Sequence, residues 1–144
     1  MPVAPALRQA SKSFYAALNQ ILKGNAAPMM DAWSQTPAAT TMHPIGGCER
    51  GWSKVKGPWA QVASICEGGK VKLTSSRIHA TKDMAVETGV ETGTATMAGT
   101  AMTFNNRVTN VYVRNGREWK IVHHHTDPSA DMLAVLQRLQ QGGA

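Results

Sequence analysis

Three consecutive histidines, His123, His124 and His125, end the apolar run REWKIVHHHTD at residues 117–127. Imidazole titrates near neutrality, so histidines in such a place are candidates for proton transfer and for metal ligation. Along a strand, alternate side chains share a face. Trp119, Ile121, His123 and His125 then lie on one side, and Lys120, Val122 and His124 on the other. The apolar Trp119 and Ile121 make the first side the expected interior. His123 and His125 become catalytic candidates with Trp119 as a ligand contact beside them, and His124 is expected to face solvent or a partner subunit. An H-x-H pair can also bind Zn²⁺, which takes three or four ligands. Neither His43 nor His79 stands at a spacing that supplies a third, so no metal is assigned. A buried neutral histidine satisfied by hydrogen bonds is the competing reading.

A guanidinium lies one candidate strand earlier. In FNNRVTNVYV, Asn105, Arg107, Thr109, Val111 and Val113 share a face. The planar fork of Arg107 suits a carboxylate, phosphate or enolate oxygen, with hydrogen bonds added by Asn105 and Thr109. The alternative is a structural ion pair with Glu87 or Glu91 on the adjacent strand. Trp33, Trp52 and Trp59 are large aromatics of the kind that fill a small interior, and they can equally line the apolar wall of a ligand site. His43 is held extended by Pro44 and could reach the mouth of such a site. The glycines of IGGCERG read as backbone turns, since no Lys-Ser/Thr helix follows to make a phosphate cradle.

The elements that must position these residues follow from periodicity. Leu7, Phe14, Leu18, Ile21 and Leu22 recur at helical spacing and Gly24 stops that helix. AAPMMDAWS reads as a short second helix, ATTMHP as a brief extended piece, and Trp52, Val55, Trp59, Val62 and Cys66 as the face of a third helix kinked at Pro58. The period then changes to two: KVKLTSSRIHAT, DMAVETGVETGTATM, AMTFNNRVTNVYVRNG and REWKIVHHH are strand candidates separated by turn signals, and DPSADMLAVLQRL supplies a last helix. Helices followed by an antiparallel meander predict an α+β fold in which the helices cover one face of a curved sheet and enclose a cone.

The totals narrow the function classes. The 144 residues, of which 42% are hydrophobic and 17% charged, fit one globular domain over 1–144. No apolar run is long enough to span a bilayer, so no membrane partner is expected. The first residues lack a basic segment followed by an apolar one, which makes a cytoplasmic location the expectation. Two cysteines, Cys48 and Cys66, outside any CxxC pair make reduced thiols the reading. The net charge of +6 is scattered from Arg8 to Arg138 rather than gathered in a tract, which argues against nucleic acid and suits an anionic small molecule.

The run from Met29 to Trp59, with its Trp33-to-Pro44 spacing and Gly51-Trp52, and the run from Asn105 to Ser129, with Arg107-x-Thr109 and Trp119-x-x-x-His123-x-His125, resemble the SnoaL-like branch of the nuclear transport factor 2-like superfamily. Within it they are similar to the group of the calcium/calmodulin-dependent protein kinase II association domain. The resemblance implies a cone-shaped curved antiparallel sheet with helices across its concave face, a deep pocket, and a homodimer formed through the sheet. It also points the Arg107 face at the pocket. The polyketide cyclases and steroid isomerases of that superfamily use a pocket aspartate, and Asp31 is the nearest carboxylate here. The resulting expectation is a domain binding a small organic anion, with Arg107, His123 and His125 performing cofactor-independent acid/base chemistry and the tryptophans and His43 enclosing the ligand. Its rival is a non-enzymatic association domain.

Overall fold

Pro5 opens the first helix of the computed structural model, which describes residues 3–142. Proline is tolerated there because the first-turn N–H groups have no partner within the helix. Helix α1 (Pro5–Leu22) buries Leu7, Phe14 and Ile21 completely along one stripe. Each such side chain contributes about 1.5–3 kcal/mol relative to exposure. Helix α2 (Ala27–Ala32) delivers Trp33 at its end. Strands β1 (Thr40–His43) and β2 (Gly46–Arg50) form a hairpin. The expectation of a plain turn at Gly46 and Gly47 is corrected: both have positive φ, which reads as turn chemistry, yet both lie in β2.

Helix α3 (Trp52–Ile65) runs through Pro58 as one helix and buries Val55, Trp59, Val62 and Ala63. Strand β3 (Cys66–Ala80) follows without a loop. It starts earlier than Lys70 because Gly68 and Gly69 sit in an irregular stretch of the ladder rather than in a turn. Strands β4 (Met84–Met97), β5 (Thr100–Asn115) and β6 (Glu118–Thr126) complete the expected meander. Helix α4 (Ala130–Gln140) is capped by Ser129, whose Oγ accepts from the Met132 N–H at 3.3 Å.

The six strands form one sheet in the order β2-β1-β6-β5-β4-β3. Pairing is antiparallel except between β1 and β6, which run parallel with Thr41 beside His124. Register shifts in the β3–β4 and β5–β6 ladders add twist, and the sheet curls around α1 and α3 without closing. Asn19 ties α1 to β3: its amide donates to the Val71 carbonyl at 2.9 Å and accepts from the Val71 N–H at 2.8 Å. Among the described residues no helix is long and apolar enough to cross a membrane.

Candidate functional site

The phase of β6 changes in mid-strand. Tyr112 pairs with Ile121, but the adjacent Val111 pairs with His123, so Val122 is an extra residue on β6. Such a bulge re-aims every side chain after it. Ile121 is buried on the helix side, and beyond the bulge it is His124, 2% exposed, that continues that side. His123 is half-buried and His125 exposed on the opposite, outer face. The expectation that His123 and His125 point inward and His124 outward is thereby reversed.

Strand β5 alternates without interruption. Met102, Phe104, Asn106, Val108, Asn110 and Tyr112 are buried, and Asn105, Arg107 and Thr109 belong to the outer face. The Arg107 side chain is 82% exposed and grips Asp127 with two hydrogen bonds, Nε to Oδ2 at 2.7 Å and Nη2 to Oδ1 at 3.2 Å. Its carboxylate partner is thus Asp127, not Glu87 or Glu91. Arg107, Asn105, Thr109, His123 and His125 do share one face, but it is the outer one. His123 Nδ1 lies 2.6 Å from Thr40 Oγ1. Asp31 is exposed on α2, where its backbone carbonyl accepts from Lys120 Nζ. Trp119 lies on the helix side in a separate groove against α1 and α2.

On the concave side the aromatic residues gather, and of the expected ligand contacts there only His43 and Trp59 line the cavity, while Trp33 and Trp52 pack behind it. Trp33, 2% exposed, packs against Trp52 and Trp59, each with ring centroids 6.3 Å away. Trp59 also meets His43 edge-on at 4.7 Å and His124 at 5.6 Å. Beside them lies a cavity of about 50 Å³, lined among others by His43, Trp59, Glu91, Asn106, Phe104 and His124. The space admits a few waters or a small molecule. Two buried polar atoms of its lining, His43 Nε2 and Trp59 Nε1, have no partner in the protein.

A hydrogen-bonded chain runs from this cavity into the sheet. Glu87, 1% exposed, accepts from Ser11 Oγ at 2.6 Å, Tyr112 Oη at 2.7 Å and Asn110 Nδ2 at 3.3 Å. Asn110 Nδ2 also donates to Tyr15 Oη at 2.9 Å, and Tyr15 in turn donates to Glu91 Oε2 at 2.9 Å. With its NH₂ committed to these acceptors, Asn110 presents Oδ1 to His124 Nδ1 at 2.7 Å. An amide oxygen only accepts, so Nδ1 carries the proton and Nε2 keeps a lone pair.

Burial sets the charge states. Desolvation lowers His43 below its ordinary range, partly offset by the Glu49 carboxylate. It lowers His124 further, reinforced by the imidazoles of His43, His123 and His125. Both rings are neutral near pH 7. Burial pushes the Glu91 carboxyl up from 4.5 to about 7, with the Tyr15 hydrogen bond acting downward and the Glu87 charge upward. Tyr15 and Tyr112 are raised, by burial first and then by Glu91 and Glu87 respectively. The buried thiol of Cys66 is pushed up to about 11 and is unreactive for that reason. Among the described residues no three His, Cys, Asp or Glu side chains converge as metal ligands. The arrangement can therefore bind a polar group and exchange a proton through Glu91 or a neutral imidazole.

The family model of the SnoaL-like domain matches residues 7–129. The chain belongs to the SnoaL-like domain family. Solved structures agree on the fold. A Streptomyces avermitilis protein of the NTF2-like family, provisionally named a dehydratase, is 24% identical with a TM-score of 0.74, covering 86% of this chain and 94% of its own. A Thiobacillus denitrificans protein provisionally named a calcium/calmodulin-dependent protein kinase type II association domain is 22% identical with a TM-score of 0.70, covering 90% and 99%. A Shewanella frigidimarina protein provisionally named a ketosteroid isomerase is 19% identical with a TM-score of 0.68, covering 85% and 94%. No curated protein matches the sequence.

The inner polar set of this SnoaL-like domain, His124, Asn110, Tyr15, Glu87 and Glu91, is not the set proposed from sequence. A signal for the glutamates exists: Ala85, Glu87, Gly89, Glu91, Gly93, Ala95 and Met97 alternate along β4, and five of the seven are small or carry the apolar end of the face. Two carboxylates on such a face are inward-facing.

Proposed function

We propose that this SnoaL-like domain binds a small organic molecule in the concave cavity and exchanges a proton with it without a cofactor. Glu91 serves as the proton-transferring carboxyl. With a carboxyl near pH 7 it is poised to take a proton and return it. His124 Nε2 accepts a hydrogen bond from the bound molecule, while His43 and the Trp59 indole N–H hold its oxygen. Proton abstraction next to a carbonyl, followed by isomerisation or loss of water, is the reaction class that fits, and two structural neighbours carry isomerase and dehydratase names.

The observation that carries this reading is the pair of unpartnered buried atoms, His43 Nε2 and Trp59 Nε1, at the cavity that holds Glu91 and His124. Leaving such groups unsatisfied costs about 1–3 kcal/mol each, which a ligand or trapped water recovers. Association remains compatible as a second property. We place a homodimer on the outer sheet face, where Met84 and Val86 are exposed at 50% and 36%. Sedimentation of the wild type against Val86→Lys reads that directly.

Catalysis is tested by hydrogen–deuterium exchange at the α-carbons of neutral ketones in D₂O, followed by NMR. Wild type accelerates wash-in, and Glu91→Gln loses about 10²–10⁴-fold of the acceleration. Exchange no faster than in buffer across the panel refutes the catalytic role.

A further inference from the structure

We infer, resting on the cavity reading above, that this site selects neutral, short-chain carbonyl or hydroxyl compounds over anions and over polycyclic molecules. Size is the first argument. A space of about 50 Å³ is about a third of the roughly 150 Å³ apolar cavity known to admit benzene, so it suits a molecule of only a few non-hydrogen atoms. Its walls come from separate parts of the fold: Leu18 and Ile21 of α1, Val62 of α3, Phe104 of β5 and Met132 of α4. Enlarging the space requires several packed elements to move together, which close-packed interiors resist.

Charge is the second argument. The ionisable groups of the lining are His43, Glu91 and His124, and no lysine or arginine is among them. Arg107, the cation expected to anchor an anion, is 82% exposed on the far side of the sheet and already paired with Asp127. An anion entering the cavity exchanges its hydration for two neutral rings and the neighbourhood of Glu91 and Glu87, and burial of an unpaired charge is costly. A neutral molecule with one oxygen acceptor and one hydroxyl fits better. The acceptor satisfies the Trp59 indole N–H, and the hydroxyl donates to the His124 Nε2 lone pair.

Three probes separate the possibilities: hydroxyacetone, propanoate and 2-tetralone. The first two have the same number of non-hydrogen atoms and differ in charge; the third is neutral and too large. Each is titrated into the full chain, and the Trp59 indole N–H and His124 ring signals are followed by NMR, with Trp59→Phe assigning the former. Hydroxyacetone is expected to shift both signals saturably, at least about tenfold more tightly than propanoate, with no saturable effect of 2-tetralone. Equal or tighter binding of propanoate overturns the charge selection and leaves the cavity reading intact. Saturable shifts from 2-tetralone overturn the size selection with the same consequence. If no probe moves either signal, this inference and the cavity reading fall together.

Discussion

Replacing Glu91 by glutamine keeps the shape of the side chain and an oxygen to accept from Tyr15, but removes the titration. In the folded protein the Glu91 carboxyl sits near 7, against 4.5 ordinarily, because burial disfavours its charge. A raised carboxyl binds its proton more tightly in the folded than in the unfolded chain. Its contribution to stability is therefore fully present below about pH 4.5 and is lost as pH rises through about 7. At about 1.4 kcal/mol per pH unit, the interval between the two values amounts to about 3 kcal/mol. Glu91→Gln lacks this loss, so its stability relative to wild type rises by about 3 kcal/mol between about pH 4.5 and pH 8. His43 and His124, whose lowered titration acts in the opposite sense, are common to both proteins and cancel in the difference. Urea unfolding of both proteins across that range measures it. A difference that stays constant with pH refutes the assignment of Glu91 as a buried, proton-holding carboxyl.

Asn110→Leu strips partners from Glu87, Tyr15 and His124 at once and is expected to cost about 3 kcal/mol or more in urea unfolding; a neutral outcome means the chain of hydrogen bonds is dispensable. The double variant Arg107→Ala, His125→Ala lies on the outer face and is expected to leave deuterium exchange and cavity binding unchanged, whereas loss of either returns these residues to the site. In Gly93→Ala the added carbon would lie 1.9 Å from the Lys70 carbonyl oxygen, so the β3–β4 ladder must part. The thermal midpoint is expected to fall by more than about 10 °C, and a shift within a few degrees would show that the strands do not approach so closely.

Much of this fold is legible in the sequence because its two periodicities are clean. The stripe Leu7, Phe14, Ile21 fixes α1, and the alternation after Lys70 fixes the meander. Which way each strand faces is harder. In β5 Met102, Phe104, Val108 and Tyr112 at even positions outweigh Val111 and Val113 at odd ones, yet the family resemblance points the Arg107 face inward, and the structure follows the apolar residues instead. In β6 the residue types do not settle the face. Trp119 and Ile121 point inward as alternation demands, but one unpaired residue, Val122, inverts the sequence of faces just before the histidines. A bulge of this kind leaves no mark in residue types, since Val122 is an ordinary strand residue. The inner carboxylates were hidden differently, because glutamate on a strand ordinarily reads as a solvent-facing residue and only the small residues around it say otherwise.

The arrangement around His124 rests on a single tautomer, fixed by Asn110 Oδ1 facing Nδ1 and leaving the Nε2 lone pair for a bound molecule. Long-range ¹H–¹⁵N correlation of the histidine rings reads it directly. The account predicts a neutral ring protonated at Nδ1 and still uncharged at about pH 6, well below where an exposed histidine begins to gain its charge. A ring protonated at Nε2, or an imidazolium at that pH, contradicts it.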